Sequence, residues 1–587
     1  MKVLFFTPHV ALWVHTVPEA YLAKALGEMG HDVRYLSCGR ALSYCVCMSA
    51  HHIAPVDDRG TKKAAICDDC VAGAQALHRA YRFPTHSLKD FLKEEDIRVS
   101  RQIARQAVDE KSLETIVDGV PVGRLALYEF TLAHKKMSTQ LTQHQWDEYR
   151  IFLENGLVAL KSFARYLEEH TPDVVISFSP QYSVNNMCMQ YAISKGVRVL
   201  FIESGTNLGH RLGTMRVWDW EVHGLVNPAL AHWGASKQNQ VTSRTVHLVC
   251  DHFQQLLKGK SFAVYSSEYT GGRSLRHQFG VKEDQKVILM TLSSYDEAYA
   301  AYLINAFPEN KAFSDVFENQ AEWVKETVAW ASSRPDVFLV IRVHPRDFPN
   351  KREAVPSEQS VYLQSVLSDV PGNVKVNWPS ENISLYELLE DVDVVATGWS
   401  ITAMESLVLG IPVVTYDARL PSYPGDIIYT GRSREEYFSN LDAAMRAGWS
   451  FANVRNGFRW LAYNFVQSTV TLSNSFGRHE LAHPQLIDKV KNRIRLHWPN
   501  VGRRMDLWGW RDAEAGAQLV DEMIREKVHS IPQLRRGKAE ETFSSDAEDA
   551  AVREGLQSLY TMLYGGRDKN RTTGLAGKIA QYMKGSS

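Results

Sequence analysis

The chain has 587 residues, 44% of them hydrophobic and 23% charged, with a formal net charge of −1. That length is too great for one hydrophobic core, so two large domains with an appendage are expected. The even charge balance lacks the basic excess of a nucleic-acid binder, and no run approaches the roughly 18 apolar residues that cross a bilayer.

The opening M-K-V-L-F-F-T-P-H, a short apolar run ended by Pro8 and His9, reads as a strand and not as a signal peptide. Strand Lys2–Phe6, helix Val17–Met29, the stop at Gly30 and strand Asp32–Leu36 form a β-α-β unit, the opening of a Rossmann-like domain. His9 and His15 fall in the loop after the first strand. A cysteine-rich insert follows over residues 38–70, with Cys38, Cys45, Cys47, Cys67 and Cys70. Beyond it lies a polar, helix-prone stretch. Its apolar positions in Leu157–Leu167 recur at three- and four-residue spacing, predicting an amphipathic helix. The α/β rhythm resumes with strand Val174–Phe178, helix Ser183–Ser194, the stop at Gly196 and strand Val197–Ile202, which leaves Glu203 at a strand end.

The turn residues Thr270-Gly271-Gly272 mark a boundary, dividing a first domain, residues 1–265, from a second, residues 266–446. The second opens with strand Val287–Leu292, followed by Ser293, Ser294 and Asp296. Residues 447–534 are helical in pattern and rich in Trp and Arg. Residues 535–587 read as a polar, partly mobile tail.

Two segments of the second domain carry the chemistry. R-V-H-P-R-D at Arg342–Asp347 ends an apolar strand, Val337–Val343. W-S-I-T-A-M-E-S-L-V-L-G-I-P-V-V-T-Y-D at Trp399–Asp417 follows another, Val392–Ala396, and reads as turn, helix Ile401–Leu409, stop at Gly410 and strand. In an open α/β sheet both motifs fall at the carboxyl ends of strands, where such folds bind ligands. His344 and Arg346 beside a hydroxyl-rich helix start at Ser400 and Thr402 would cradle a phosphate. Ser293 belongs to the same rim, and Glu405 is placed to accept from ribose hydroxyls. Ser400 and Thr402 would serve equally as plain caps, and Glu405 as half of a surface ion pair.

These residues resemble the donor-binding domain of GT-B glycosyltransferases, and within them the bacterial capsular-polysaccharide biosynthesis proteins that include the Kdo transferases. The R-x-H-P motif with a Ser/Thr-rich strand end is also similar to the polyol-phosphate transferases of teichoic acid synthesis. F-I-E-S-G-T at Phe201–Thr206 and H-G-L-V-N-P at His223–Pro228 resemble the E-x-G…G-x-N pattern of the capsule family. The resemblance implies an α/β fold of two Rossmann-like domains facing a cleft, with the last helices crossing back. It implies a nucleotide-sugar donor, with a CMP-activated acidic sugar such as Kdo leading, and a glycan or lipid-linked acceptor. The protein is then expected in the cytoplasm, with peripheral contact at the inner membrane face. A nucleotide-sugar epimerase of the same architecture and a non-catalytic partner protein stay open.

Glycosyl transfer needs a group that deprotonates an acceptor hydroxyl or stabilises an oxocarbenium ion. Glu203, His15 and Asp296 are the candidates, with His9 as a further base. GT-B enzymes generally need no catalytic metal. The C-x-C at Cys45 and Cys47 and the C-x-x-C at Cys67 and Cys70, with Cys38 nearby, would suffice for a structural zinc, an iron–sulfur cluster or free buried thiols. Relatives in the capsule family can carry a similar insert.

Overall fold

The computed structural model describes the chain except residues 57–59, 224–227, 237–239, 260–263, 272–273, 307–313, 351–353, 418, 421–422, 474–484, 536–543, 566–572 and 586–587, and the side chains of 223 and 510–512. Most of the H-G-L-V-N-P segment, and Gly272 of the boundary turn, therefore lie outside the described residues. Among the described residues no helix is long and apolar enough to cross a membrane.

Six strands run through the first part of the chain: β1 (Lys2–Thr7), β2 (Asp32–Ser37), β3 (Thr85–Ser87), β4 (Val174–Phe178), β5 (Arg198–Ser204) and β6 (Thr214–Asp219). Six more follow: β7 (Lys286–Thr291), β8 (Val337–Arg342), β9 (Val374–Asn377), β10 (Val394–Thr397), β11 (Val413–Thr415) and β12 (Tyr429–Thr430), and then β13 (Val470–Thr471). They form two sheets, ordered β13-β6-β5-β4-β1-β2-β3 and β12-β11-β10-β7-β8-β9. The second is parallel throughout, and the first is parallel from β5 to β3. Each is doubly wound. The domain's first strand lies centrally, the next two step to one side and the fourth lies on the other. The fold is α/β, with two Rossmann-like domains.

Alternation along the strands buries both faces of each sheet. In β1, Leu4 and Phe6 enter one core while Val3 and Phe5 enter another. In β7, Val287 and Leu289 face one way, Ile288 and Met290 the other. Such two-sided burial explains the near-continuous apolar runs from which the strands are legible.

Three boundaries differ from the sequence reading. Helix Ser243–Lys258 sets Val246, Val249 and Phe253 in the same core as Val287 and Leu289, so second-domain packing begins before residue 266. Helix Tyr295–Leu303 follows a second-domain strand, yet places Tyr295, Tyr299 and Ala300 in the core that holds Leu4 and Phe6 of the first domain. Of the expected tail, the described helices Ser545–Tyr564 and Gly574–Gly585 are packed. Helix Ser545–Tyr564 buries Val552, Leu556, Leu559 and Leu563 in the second domain, and helix Gly574–Gly585 adds Leu575 and Ile579. The polar faces of these helices dominate their composition and conceal the apolar stripe.

Between the two, the chain returns to the first domain. β13 pairs antiparallel with β6, and helix Glu514–Arg525 lays Ala517, Val520 and Met523 against the core of Val3 and Phe5.

Candidate functional site

The point where strand order reverses is where a doubly wound sheet opens a crevice at its carboxyl edge. In the second domain that point lies between β7 and β10. Beyond β7, the Ser293 amide donates to Gln320 Oε1 at 2.8 Å and Gln320 Nε2 donates back to the Ser293 carbonyl at 2.9 Å, which fixes the loop backbone. The Ser293 Oγ and Thr291 Oγ1 atoms are buried without a hydrogen-bond partner. Beyond β10, the Ser400 hydroxyl donates to Thr402 Oγ1 at 3.0 Å and accepts from the Thr402 amide at 3.3 Å. The helix that follows is Thr402–Val408, with Ile401 in the cap position. Ser400 thus braces the turn from outside the helix and is not its cap. On the other side of β7, His344 ends β8. Its Nδ1 accepts from the Arg346 amide at 3.2 Å, so the neutral ring carries its proton on Nε2. The ring packs edge-on against Tyr265 at 5.3 Å.

Two donor-site expectations and one catalytic one are corrected here. Arg346 forms a two-pronged ion pair with Asp296, Nε to Oδ2 at 2.9 Å and Nη2 to Oδ2 at 2.8 Å. The two side chains are 5% and 0% exposed. Burial raises the Asp296 carboxyl above its ordinary range, and Arg346 opposes that rise. Arg346 Nη2 also donates to the Leu132 carbonyl at 3.2 Å, and Lys135 Nζ donates to the Arg346 carbonyl at 2.5 Å. Leu132 lies in helix Leu127–His134 of the first domain. The pair is a buried anchor between domains, so neither residue is placed to meet a donor or a reacting centre. Glu405 is likewise turned inward. It accepts from Tyr386 Oη at 2.8 Å, and burial pushes its carboxyl up to about 7 against the pull of Tyr386 and Arg342. A helix packed on both sides buries this position, which removes Glu405 from the ribose.

In the first domain the order reverses between β1 and β4. His15, on the first turn of helix Trp13–Glu28, stacks on Phe178 at 4.2 Å, and its Nδ1 is buried without a partner. Burial, with the charges of Arg211 and His9, lowers its pKa to about 3, so the ring is neutral near pH 7. One turn on, Glu19 is wholly buried and accepts from the Thr7 hydroxyl. Burial pushes Glu19 up to about 8, against the Thr7 hydrogen bond. A cavity of about 20 Å³, lined by His9, His15, Glu19, Tyr182 and Asn185 among others, lies between them. It is large enough for about one water.

Glu203 sits at the end of β5 but faces Arg216 of β6 in register and is ion-paired to it, with 22% of the side chain exposed. Its carboxylate is therefore held across the strands. The need for glycine at 205 is local too. A Cβ there would stand 2.0 Å from Thr214 Oγ1, so the close approach is to the protein's own β6.

The five cysteines of the insert line one cavity of about 710 Å³ beside the end of β2. The His9 ring nitrogens and the Cys45 and Cys47 thiols bring ligand atoms within 4.8 Å of one another. Cys70 lines the same cavity as a hydrogen-bonding neighbour of Cys47. Cys38 and Cys67 stand on the same cavity wall outside this group; burial pushes Cys38 up to about 12.

Sequence reading missed Glu19 and the company His9 keeps. Glu19 was legible as a carboxyl four residues after His15, on the same face of an otherwise apolar helix. His9 was not, because nothing in its spacing links it to cysteines 36 or more residues away.

No protein-family model and no curated protein matches this chain. Among solved structures, it is similar to Thermosulfurimonas dismutans KpsC, a beta Kdo 2,4 transferase, at 15% identity over 55% of this chain and 88% of that one, TM-score 0.29. It is similar to the UDP-GlcNAc 2-epimerase of Neisseria meningitidis at 12% identity over 90% and 100%, TM-score 0.23. CalG4, the calicheamicin glycosyltransferase, aligns at 12% identity over 80% and 94%, TM-score 0.25. At these scores the likenesses carry no argument. The fold stands on the two sheets, and function is argued from the residues.

Proposed function

We propose that this chain is a glycosyltransferase of bacterial surface-polysaccharide assembly. It would move a sugar from a nucleotide-activated donor to a glycan or lipid-linked acceptor at the cytoplasmic face of the membrane. The observation that carries the reading is the second domain's switch point. There the buried Ser293 hydroxyl has no partner, and the hydroxyls of Ser400 and Thr402 and the imidazole of His344 flank it on the ends of β10 and β8. Neutral and N–H donors gathered at strand ends favour a phosphate, and they strengthen as the leaving group gains charge. No metal is needed for that task. In the first domain, Glu203, held by Arg216 at the end of β5 and partly exposed, keeps the place at the reacting centre, since burial makes the His15 ring a weak base near pH 7. The leading donor is a CMP-activated acidic sugar, which rests on the E-S-G-T resemblance.

The test is to incubate the protein with CMP-, UDP- and GDP-activated sugars, with and without glycan acceptors, and to follow free nucleotide. Acceptor-dependent release supports transfer. Inversion of the donor sugar without an acceptor marks the epimerase, and release of a polyol-phosphate product marks the teichoic-type reaction. No turnover with any donor leaves a non-catalytic partner protein.

A further inference from the structure

We propose that His9, Cys45, Cys47 and Cys70 form a tetrahedral zinc site that pins the cysteine insert to the end of β1. This is independent of the glycosyltransferase reading.

Three separate segments converge on the group. His9 follows β1. Cys45 is the residue before helix Val46–Ala50, and Cys47 lies in its first turn. Cys70 comes from helix Gly60–Tyr81. The ligand atoms of His9, Cys45 and Cys47 already lie within 4.8 Å of one another, and Cys70 lines the same cavity as a hydrogen-bonding neighbour of Cys47. Around zinc, with bonds of about 2.3 Å to sulfur and 2.0–2.1 Å to nitrogen, neighbouring ligand atoms stand roughly 3.3–3.8 Å apart, so closure takes a movement on the order of 1 Å.

A second observation points to a ligand. His9 is 7% exposed, and both its ring nitrogens are buried without a hydrogen-bond partner. A buried imidazole is ordinarily satisfied at one nitrogen at least. Here the ring is held beside Tyr182, 5.8 Å between centroids and nearly perpendicular, next to the thiols. A metal bond supplies the missing partner. Three thiolates and an imidazole form a soft, closed set that fits zinc and excludes magnesium and calcium, which take oxygen ligands. Cys38 and Cys67 line the cavity but lack the hydrogen bond to the group's thiols that Cys70 makes, so the site leaves them out.

The experiment is metal analysis of protein purified without chelator, followed by replacement with cobalt(II), whose thiolate charge-transfer band counts sulfur ligands. About one zinc per chain and a tetrahedral cobalt spectrum are expected. The charge-transfer band should fall by about one third in Cys45→Ser, Cys47→Ser and Cys70→Ser and stay unchanged in Cys38→Ser and Cys67→Ser. His9→Cys should raise it by about one third, a gain that a misfolded variant cannot imitate. Absence of metal, an octahedral cobalt spectrum, a brown iron–sulfur chromophore, a disulfide among these thiols, or no increase in His9→Cys would each overturn the assignment.

Discussion

Asp296 and Arg346, 50 residues apart in sequence, meet in an ion pair that both domains bury. Asp296 opens the helix that packs on the first domain, and Arg346 reaches past it to the Leu132 carbonyl. Beside it, Glu358 accepts from Lys136 Nζ at 2.5 Å and from the Met137 amide at 2.7 Å, so a second acidic residue of the second domain grips the same segment.

Removing one partner of a buried pair leaves the other charged and unpaired. Asp296→Ala is therefore expected to lower unfolding free energy by about 3–5 kcal/mol. The double variant with Arg346→Met should lose less than the two single losses added. Denaturant titration measures all three. A neutral Asp296→Ala with abolished turnover would return Asp296 to the reacting centre.

His344→Ala tests the donor site. Its ring accepts a backbone hydrogen bond within its own turn, and the fold should survive its loss. Donor turnover should drop on the order of 10²-fold, the usual cost of losing one donor to a developing charge. Circular dichroism and initial rates separate the two effects. Unchanged turnover would exclude His344.

Glu19 titrates in a window set by burial. Its folded pKa is raised from 4.5 to about 8, so the stability that its neutral form contributes is fully present below pH 4.5 and is lost as pH rises toward 8. Glu19→Gln abolishes that loss. The melting temperature of the variant, relative to the parent, should climb steadily from pH 4.5 to 8. A constant difference across that range would show that Glu19 ionises as it does in the unfolded chain.

His15 works in the opposite direction. Its folded pKa is lowered from 6.5 to about 3, so its contribution is present above pH 6.5 and fades as pH falls toward 3. His252, also lowered to about 3 by burial, shares the window. His15→Gln should relieve only its own share of the acid sensitivity.

Nucleotides provide the ranking of donors. A ligand that binds the folded state alone adds about 2.7 kcal/mol at a hundred times its dissociation constant. Thermal shifts with CMP, CDP, UDP and GDP are expected to be largest for the cytidine pair. Stabilisation by UDP or GDP alone would reject the cytidine assignment and leave the fold and the site untouched.

The architecture was legible because parallel strands are buried on both faces. Strand Val174–Phe178 and helix Ser183–Ser194 stand where the sequence puts them. The direction taken by a strand-end side chain was not legible. Arg346 turns inward because Asp296 waits there, and Glu405 turns inward because Tyr386 and Arg342 do, partners that spacing along the chain does not reveal. His9 joins the cysteines for the same reason: β1 and the insert meet only after the sheet has formed.

The return of the chain to its first sheet has a consequence for synthesis on the ribosome. Val3 and Phe5 are made long before part of their covering, Ala517, Val520 and Met523. Until that stretch emerges, one face of the first sheet is covered only in part, by helix Trp13–Glu28, and the edge of β6 lacks β13. Long-range closures of this kind fold slowly and keep apolar surface in reach of other nascent chains. Expression of this protein should therefore depend on holdase chaperones more than its ordinary composition suggests, and loss of helix Glu514–Arg525 should harm the amino-terminal sheet.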